Sequence, residues 1–247
     1  MLTTPVEELG YKFYSIPGLQ LAYALGRGSS CVAYFSKYDE KECVAKIFKK
    51  KERFENEKKI IQLVSKKCLP HVPTYVTDFF TNNEYMLVVT PVGQPVVPSQ
   101  NGERTVGSDL ANIVSVLRNA HSLGICHRDV KPDNIFIIDT DTRYVILNDW
   151  GSACLTEEKV LWQGTIGFAD PCSEDPSEYV PSFAADLRAL IRSAYVMWFN
   201  EFPPSDPKEV ENFWAARFSF GTLWVKAIQA ADELDYTLLQ VIFMQLK

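Results

Sequence analysis

The sequence predicts an α+β fold in which a small antiparallel sheet with one helix precedes a larger helical part. Short apolar segments separated by turn residues fill most of the first 90 residues, whereas segments with helical periodicity prevail from residue 106 onward. Three prolines and a glycine between residues 90 and 98 mark a boundary. A chain of 247 residues with 47% hydrophobic content can bury one large core or two smaller ones.

The first three strands are predicted at residues 19–25, 32–36 and 42–48, and Gly26 and Gly28 lie between the first two. A hairpin with glycines at its tip can approach phosphate groups closely, because glycine has no side chain. A GxG pair alone more often marks only a hairpin turn. Whether this glycine pair indicates phosphate binding therefore depends on the segments that follow.

The third strand carries Lys46 and leads into a predicted helix at residues 51–65. Apolar residues recur there at helical spacing, opposite a charged face, at Phe54, Ile60, Ile61 and Val64. A lysine on such a strand could also be a solvated edge residue. Two further strands, at residues 74–80 and 85–89, complete the predicted sheet.

The remaining helices are predicted at residues 106–123, 181–199, 208–220 and 222–245. Between the first two of them lies the stretch HRDVKPDN at residues 127–134. Apolar runs at 135–138 and 144–147 follow it, and then Asp149-Trp150-Gly151. Two carboxylates, an asparagine and a lysine are thus placed on short loops beside apolar strands. Such a set suits a magnesium-dependent reaction in which one carboxylate accepts a hydroxyl proton and other oxygen atoms hold the metal.

These motifs together resemble the catalytic domain of eukaryotic-type protein kinases, over about residues 19–200. The resemblance implies a two-lobed α+β protein-kinase fold spanning residues 1–247. The N-lobe is expected at about 19–90, the hinge at about 90–97 and the C-lobe at about 98–247. The implied cofactors are ATP and Mg²⁺, and the implied reaction transfers the γ-phosphoryl group to Ser or Thr hydroxyls of protein substrates.

The resemblance also assigns roles to individual residues. Catalytic roles fall on Asp129, Lys131, Asn134 and Lys46. Nucleotide binding falls on Gly26, Gly28, Val32, Val44, Lys46, Glu57, Val89, Thr90 and Val92. The metal ligands are Asn134 and Asp149. Glu57 is preferred to Glu55 as the partner of Lys46, since Ile60 and Ile61 share its side of the helix.

Two features near the expected acceptor site favour serine or threonine over tyrosine. Lys131 follows Asp129 by two residues, as in Ser/Thr kinases, and Thr165 matches the family threonine that bonds both of these residues. Asp186 matches the aspartate that anchors the catalytic loop in this family.

The sequence departs from the family pattern at several positions. Cys31 replaces the third glycine of the hairpin, and Trp150 replaces the usual phenylalanine. Cys172 stands where a glutamate is expected and Asp170 where an alanine is expected, which predicts that a glutamate–arginine pair of the C-lobe is missing. These departures keep open a catalytically weak pseudokinase that acts as a nucleotide- or protein-binding module. A small-molecule phosphotransferase is a third reading, which Lys131 and Thr165 oppose.

Composition restricts the partners and the location. A net charge of −6 opposes a nucleic-acid-binding surface. No run of about 18 apolar residues predicts a membrane segment, and the polar first residues do not resemble a signal peptide. Six scattered cysteines without a CxxC pair favour reduced thiols in an intracellular, cytoplasmic protein, with a nuclear location left open. The oligomeric state stays undetermined.

Overall fold

The computed structural model describes residues 16–28, 30–81, 84–96, 107–139, 143–156, 159–172, 175–218 and 222–246. The chain divides into two compact units. The first contains Met1–Cys68 and Pro73–Gly93, and the second contains Leu69–Val72 and Gln94–Lys247. The polar first residues, 1–15, lie outside the described residues.

The described part of the first unit contains five strands and one helix. They are β1 (Leu19–Arg27), β2 (Cys31–Tyr38), β3 (Lys41–Phe48), α1 (Lys51–Lys66), β4 (Thr74–Thr81) and β5 (Glu84–Thr90). The strands form an antiparallel sheet in the order β1-β2-β3-β5-β4. Every predicted strand of this part is present, and most extend a few residues beyond the predicted ends. The predicted α+β class with a small antiparallel sheet is confirmed.

Strand alternation divides the sheet into two faces. One face carries a cluster of buried side chains that includes Tyr34, Ala45, Ile47 and Val88. Because adjacent residues of a strand point to opposite faces, Lys46 lies on the other face. The apolar stripe predicted for α1 is buried as expected, at Phe54, Ile60, Ile61 and Val64.

The second unit is mainly helical. Its elements are β6 (Gln94–Pro95), α2 (Gly107–Ser122), β7 (Ile125–Cys126), β8 (Ile135–Ile138), β9 (Tyr144–Leu147), β10 (Cys154–Leu155), α3 (Phe183–Phe199), α4 (Pro207–Arg217), α5 (Leu223–Asp232) and α6 (Tyr236–Met244). Short ladders pair β7 with β10 and β8 with both β6 and β9. Among the residues just described, no helix is both long and apolar enough to span a lipid bilayer.

The prediction of one helix at residues 222–245 is wrong, because two helices occupy this segment. The chain leaves the first at Leu234, whose φ of 54° is left-handed. Asp235 then begins the second helix by accepting a hydrogen bond from the Leu238 amide at 2.8 Å. The apolar spacing continues through the break, so periodicity alone did not reveal it, whereas an aspartate is a favoured N-cap residue.

Candidate active site

The loop that follows β7 is fixed by a buried carboxylate from α3. Asp186 accepts hydrogen bonds from the His127 amide at 2.6 Å and from the Arg128 amide at 2.8 Å. Arg128 has a left-handed φ of 68°, and the two amide bonds hold its backbone in this less populated conformation. The predicted anchoring contact of Asp186 is therefore present.

Further polar groups surround this aspartate. His121 lies within hydrogen-bond distance of Asp186 through Nε2 at 3.0 Å, and its Nδ1 lies 2.8 Å from the Tyr236 hydroxyl. Since a carboxylate only accepts, Nε2 donates to Asp186. Burial acts to raise the pKa of Asp186, but hydrogen bonds and charge interactions outweigh it, led by the His121 hydrogen bond and including the Arg128 amide, and leave the pKa below its ordinary value.

His127 is fully buried, and its contacts define its tautomer. Its Nε2 lies 3.0 Å from the Asn148 carbonyl oxygen, which can only accept. Its Nδ1 accepts from the Asp129 amide at 3.3 Å. Burial lowers the pKa of His127, in keeping with a neutral ring. The ring centroids of His127 and Trp150 lie 4.7 Å apart in an edge-to-face arrangement. His127 is therefore a packing residue that also links two loops.

The Asp129 carboxylate is one corner of a contact triangle that it forms with Lys131 and Thr165. The Thr165 hydroxyl donates to its Oδ1 at 2.7 Å, and Lys131 Nζ lies 3.0 Å from its Oδ2. Lys131 Nζ also donates to the Thr165 hydroxyl at 2.7 Å. The three residues that the sequence placed near an acceptor hydroxyl are therefore in mutual contact, although Thr165 is distant in sequence.

Asn134 and Asp149 supply oxygen atoms of the kind that Mg²⁺ prefers. Both hydrogen bonds from Asn134 Nδ2 go to Asp129, one to its carbonyl at 2.7 Å and one to its Oδ2 at 3.1 Å. The amide oxygen of Asn134 is the atom left for a cation. The Asn148 amide donates to the Asn134 carbonyl at 2.8 Å, which keeps the residue before Asp149 beside this loop.

The donor set at this loop fits a metal that is bound mainly through phosphate oxygens. In the part of the chain that the structure describes, no group of three His, Cys, Asp or Glu side chains could hold a metal ion. Mg²⁺ typically takes one or two carboxylates and completes its shell with water and phosphate oxygens. Asp149 and Asn134 suit such an ion.

Asp170 corrects the expectation that a stabilising ion pair is missing. It accepts from Arg188 Nε at 2.9 Å and from Arg192 Nη1 at 2.8 Å, and both arginines lie on α3. Arg192 also donates to the Phe168 carbonyl at 2.7 Å. The carboxylate is thus supplied two residues before Cys172, and a search for a glutamate at one position could not find it. Asp170 is the functional candidate that sequence reasoning missed.

The Arg128 side chain donates hydrogen bonds to two backbone carbonyls of the same unit. Its Nε donates to the Ser152 carbonyl at 2.6 Å, and its Nη1 donates to the Leu161 carbonyl at 3.1 Å. Both ends of the segment between Gly151 and Gly164 are therefore attached to the catalytic loop. Glu157 and Glu158, which the sequence offers as negative charges for Arg128, lie outside the described residues.

In the first unit, Lys46 Nζ and Glu57 Oε1 form an ion pair. Both side chains are almost completely buried, at 6% and 1% exposure. Glu55 is exposed on the other side of α1. The helical phase inferred from the apolar residues therefore identified the right glutamate.

Strand register corrects the prediction for Val32. Its cross-strand partner is Ile47, and both belong to the buried cluster on the face opposite Lys46. Ala33 pairs with Lys46 and shares its face. Val32 is therefore a core residue, and Ala33 occupies the position expected to border a nucleotide. A shift of one residue reverses the face because side chains alternate along a strand.

The other predicted nucleotide contacts remain compatible with the geometry. Val44 and Val89 are directly paired across β3 and β5, and Val44 lies two residues from Lys46 on the same face. A Cβ added at Gly26 would meet no atom within 4 Å, so packing within the chain does not require a glycine there. Thr90 ends β5, and the Thr90–Pro91 peptide bond is cis before Val92.

A comparison with protein families assigns the chain to a class. The family model described as the protein kinase domain matches residues 19–221. The chain therefore belongs to the protein kinase domain family, and the family predicted from the sequence motifs is confirmed.

Three of the relatives found by sequence comparison are named as serine/threonine-protein kinases, in agreement with the predicted enzyme class. TOS3 of Saccharomyces cerevisiae is 29% identical over 134 residues, which cover 49% of this chain and 23% of that protein. The probable kinase FMP48 of the same yeast is 31% identical, over 47% of this chain and 35% of that protein. PknE of Mycobacterium tuberculosis is 39% identical, over 32% of this chain and 14% of that protein. Each match thus spans a minor part of the relative.

Solved structures confirm the kinase fold. Vaccinia related kinase 3 superposes with a TM-score of 0.72 at 16% sequence identity, covering 91% of this chain and 85% of that chain. The Cydia pomonella granulovirus kinase PK-1 gives the same TM-score at 18% identity, covering 92% of this chain and 94% of that chain.

Proposed function

We propose that this chain is a protein kinase that transfers the γ-phosphoryl group of MgATP to serine and threonine hydroxyls of protein substrates. The observation that carries the proposal is the contact triangle of Asp129, Lys131 and Thr165. It combines a carboxylate that can accept a proton with an ammonium group that can neutralise a phosphate.

The acceptor chemistry follows from this triangle. Asp129 orients the attacking hydroxyl and accepts its proton as the new oxygen–phosphorus bond forms and the bond to the leaving ADP breaks. Lys131 offsets charge on the γ-phosphoryl oxygens. Thr165 holds both side chains through one hydroxyl, which limits the room beside Asp129 and favours a short serine or threonine side chain over a tyrosine ring.

ATP and Mg²⁺ supply the transferable phosphoryl group and the positive charge that neutralises it. Asp149 and Asn134 would hold the metal, and Lys46 would hold the α- and β-phosphates while Glu57 orients it. Gly26 and Gly28 leave space for phosphates at the hairpin, and the backbones of Thr90 and Val92 would bind adenine beside Val44 and Val89.

A pseudokinase that binds nucleotide or protein is the competing function, and Cys31 in place of the third glycine favours it. The Asp170 contacts remove part of its support, because they replace the ion pair that Cys172 cannot make. Protein substrates and partners are proposed for the whole protein together with this activity.

The test is incubation of the purified chain with γ-labelled ATP, Mg²⁺ and a mixed peptide library, followed by phosphoamino-acid analysis. We expect phosphoserine and phosphothreonine in the wild type. We expect a loss of roughly 100-fold or more in Asp129→Asn, the size of effect found when one transition-state contact is removed. Asp133→Asn, which alters an exposed neighbouring carboxylate, should retain activity. Dominant phosphotyrosine would contradict the acceptor assignment, and MgATP binding without any transfer would establish the pseudokinase.

A further inference from the structure

The anchor of the catalytic loop continues beyond Asp186 to a side chain of α6. The Asp186 carboxylate accepts from the His127 and Arg128 amides. His121 donates to it through Nε2 at 3.0 Å, and the other ring nitrogen of His121 lies 2.8 Å from the Tyr236 hydroxyl. Tyr236 begins α6 and lies beyond residue 221, where the match to the kinase family model ends. The family match therefore assigns no role to this tyrosine.

The His121 ring is restrained on one face and at both of its nitrogen atoms. It stacks on the Phe183 ring, with the two centroids 4.4 Å apart and the planes 20° from parallel. The side chains of His121 and Asp186 are each only 2% exposed. A tyrosine hydroxyl can either donate or accept, so Tyr236 can bond the second nitrogen in both protonation states of the ring. The hydroxyl is therefore one of the restraints that set the orientation of a buried ring.

Contacts elsewhere along α6 hold this helix against α2 without the Tyr236 hydroxyl. The Gln240 side-chain amide donates to the Ser115 hydroxyl of α2 at 2.7 Å. Near the other end of α6, a Cβ added at Gly107 of α2 would overlap the Phe243 carbonyl oxygen, so the two backbones approach closely there. We therefore expect α6 to stay in place when the Tyr236 hydroxyl alone is removed.

We propose that Tyr236 is a positioning residue for phosphoryl transfer and acts on the catalytic loop through His121. The inference rests on the proposed kinase activity and adds to it a residue outside the family match. The hydroxyl orients the His121 ring, and Nε2 of the ring orients the Asp186 carboxylate, whose two oxygen atoms each accept one loop amide. Those amides belong to the two residues before Asp129, and misplacing a reacting group by about 1 Å can cost roughly 100-fold in rate. Burial, followed by the Asp186 charge, raises the pKa of Tyr236 to about 12, so the hydroxyl keeps its proton at neutral pH.

The first test measures amide hydrogen exchange by NMR, without nucleotide or peptide. In Tyr236→Phe we expect the His127 and Arg128 amides to exchange about three- to tenfold faster than in the wild type, the effect of losing one hydrogen bond. The amide of Leu190, a buried residue of α3, should exchange as before. The matched control is Tyr195→Phe, which removes a hydroxyl that donates to an exposed carboxylate of the same unit at 3.4 Å and should leave both loop amides unchanged.

The second test measures steady-state transfer to a peptide. Tyr236→Phe should lower kcat roughly tenfold and leave the KM for MgATP within about twofold of the wild type, because the hydroxyl bonds His121 and not a residue proposed to hold the nucleotide. His121→Phe keeps a ring against Phe183 but removes both nitrogen atoms, so its kcat should fall further. Adding Tyr236→Phe to it should change nothing more, since residues that act through one another do not give additive losses.

Several results would overturn the inference. Unchanged exchange at the two loop amides in Tyr236→Phe would show that the hydroxyl does not hold the loop, and an equal rise at Leu190 would show only a general loss of stability. Additive losses from the two substitutions, or an equal loss in Tyr195→Phe, would show that Tyr236 does not act through His121. A wild type that transfers no phosphate would overturn the proposed function and with it the role in that reaction. An active wild type with an unaltered kcat in Tyr236→Phe would overturn the positioning role alone, so the two failures are distinguishable.

Discussion

The catalytic loop and the glycine hairpin are both expected to serve one reaction, yet their own contacts differ sharply. In the catalytic loop, carboxylate, amide and hydroxyl groups meet partners from the same unit, as in the contacts of Asp186 and Thr165. At the hairpin, a Cβ on Gly26 would meet nothing within 4 Å, and the register of β1 and β2 shifts twice before the tip.

This contrast indicates which part of a site the chain builds alone and which part a ligand completes. Hydrogen-bonded side chains fix the position of Asp129 before any substrate arrives, which reduces the reorganisation needed during the reaction. An open glycine hairpin leaves room for further contacts that phosphates would supply. Substitutions in the first region should therefore affect folding and catalysis together, whereas those in the second should affect binding alone.

Asp186→Ala should produce the largest effect. It leaves the amides of His127 and Arg128 buried without their acceptor, and His121 Nε2 loses its acceptor as well. We expect the free energy of unfolding to fall by about 3–5 kcal/mol and phosphoryl transfer to be lost. Urea denaturation measures the first quantity. Asp232→Ala, at an aspartate with 51% exposure, is the control and should cost far less. Similar costs in the two variants would contradict the anchoring role.

Lys46→Met tests whether the buried Lys46–Glu57 ion pair of the first unit stabilises the fold without a ligand. Since lysine and methionine side chains have similar lengths, the sequence alone predicts that this change spares the fold. The burial of both Lys46 and Glu57 alters that expectation, because removing one member of a buried ion pair costs about 3–5 kcal/mol. Lys46→Met with Glu57→Gln should recover most of the stability without recovering transfer. If the single variant melts like the wild type, the pair adds little to stability.

Asp170→Ala tests whether the Asp170 contacts hold the segment that contains Thr165. The variant loses contacts to Arg188 and Arg192, so the segment should be held less firmly beside Asp129. We expect transfer to peptides to fall roughly 10- to 100-fold, in keeping with the loss of positioning. Cys172→Ala, at the position where the family places its glutamate, should stay within a few-fold of the wild type. A larger loss in the cysteine variant than in Asp170→Ala would contradict the role of Asp170 in holding this segment.

His127→Gln should change the pH dependence of stability. The folded-state pKa of His127 is lowered, so below the unfolded value of about 6.5 the unfolded chain takes up a proton that the native ring resists. Stability present above that pH is lost as the pH falls toward the folded pKa, by up to about 1.4 kcal/mol per pH unit. Glutamine does not titrate, so the decline between pH 7.5 and 5.5 should be shallower in the variant. Equal slopes in the two proteins would count against a neutral buried ring.

The sequence predicted the catalytic loop well because its chemistry is contiguous: eight residues in order carry most of the side chains, and Asp149 follows at a fixed distance. A contact that is supplied from a different sequence position was harder to predict. Asp170 takes over a contact from a position two residues later, and only the placement of α3 reveals its arginine partners. Val32 was misassigned because a strand places neighbours on opposite faces, so an alignment error of one residue reverses the prediction.

Gly26→Ala should have the smallest effect on stability, and it examines the hairpin directly. A Cβ at this position meets nothing within 4 Å, and the φ of Gly26 is outside the left-handed region. Alanine also restricts the unfolded chain, so the free energy of unfolding should change by no more than about 1 kcal/mol. MgATP should nevertheless raise the melting temperature of the variant less than that of the wild type, since the methyl group occupies space that phosphates would need.

Gly164→Ala supplies the contrast in the second unit. There a Cβ would lie 2.5 Å from the Ala169 Cβ, and the φ of 157° is one that residues with side chains rarely adopt. This variant should lose stability without any ligand present. If Gly26→Ala is the less stable of the two, or if MgATP protects it as well as the wild type, the hairpin glycines serve the fold and not the nucleotide.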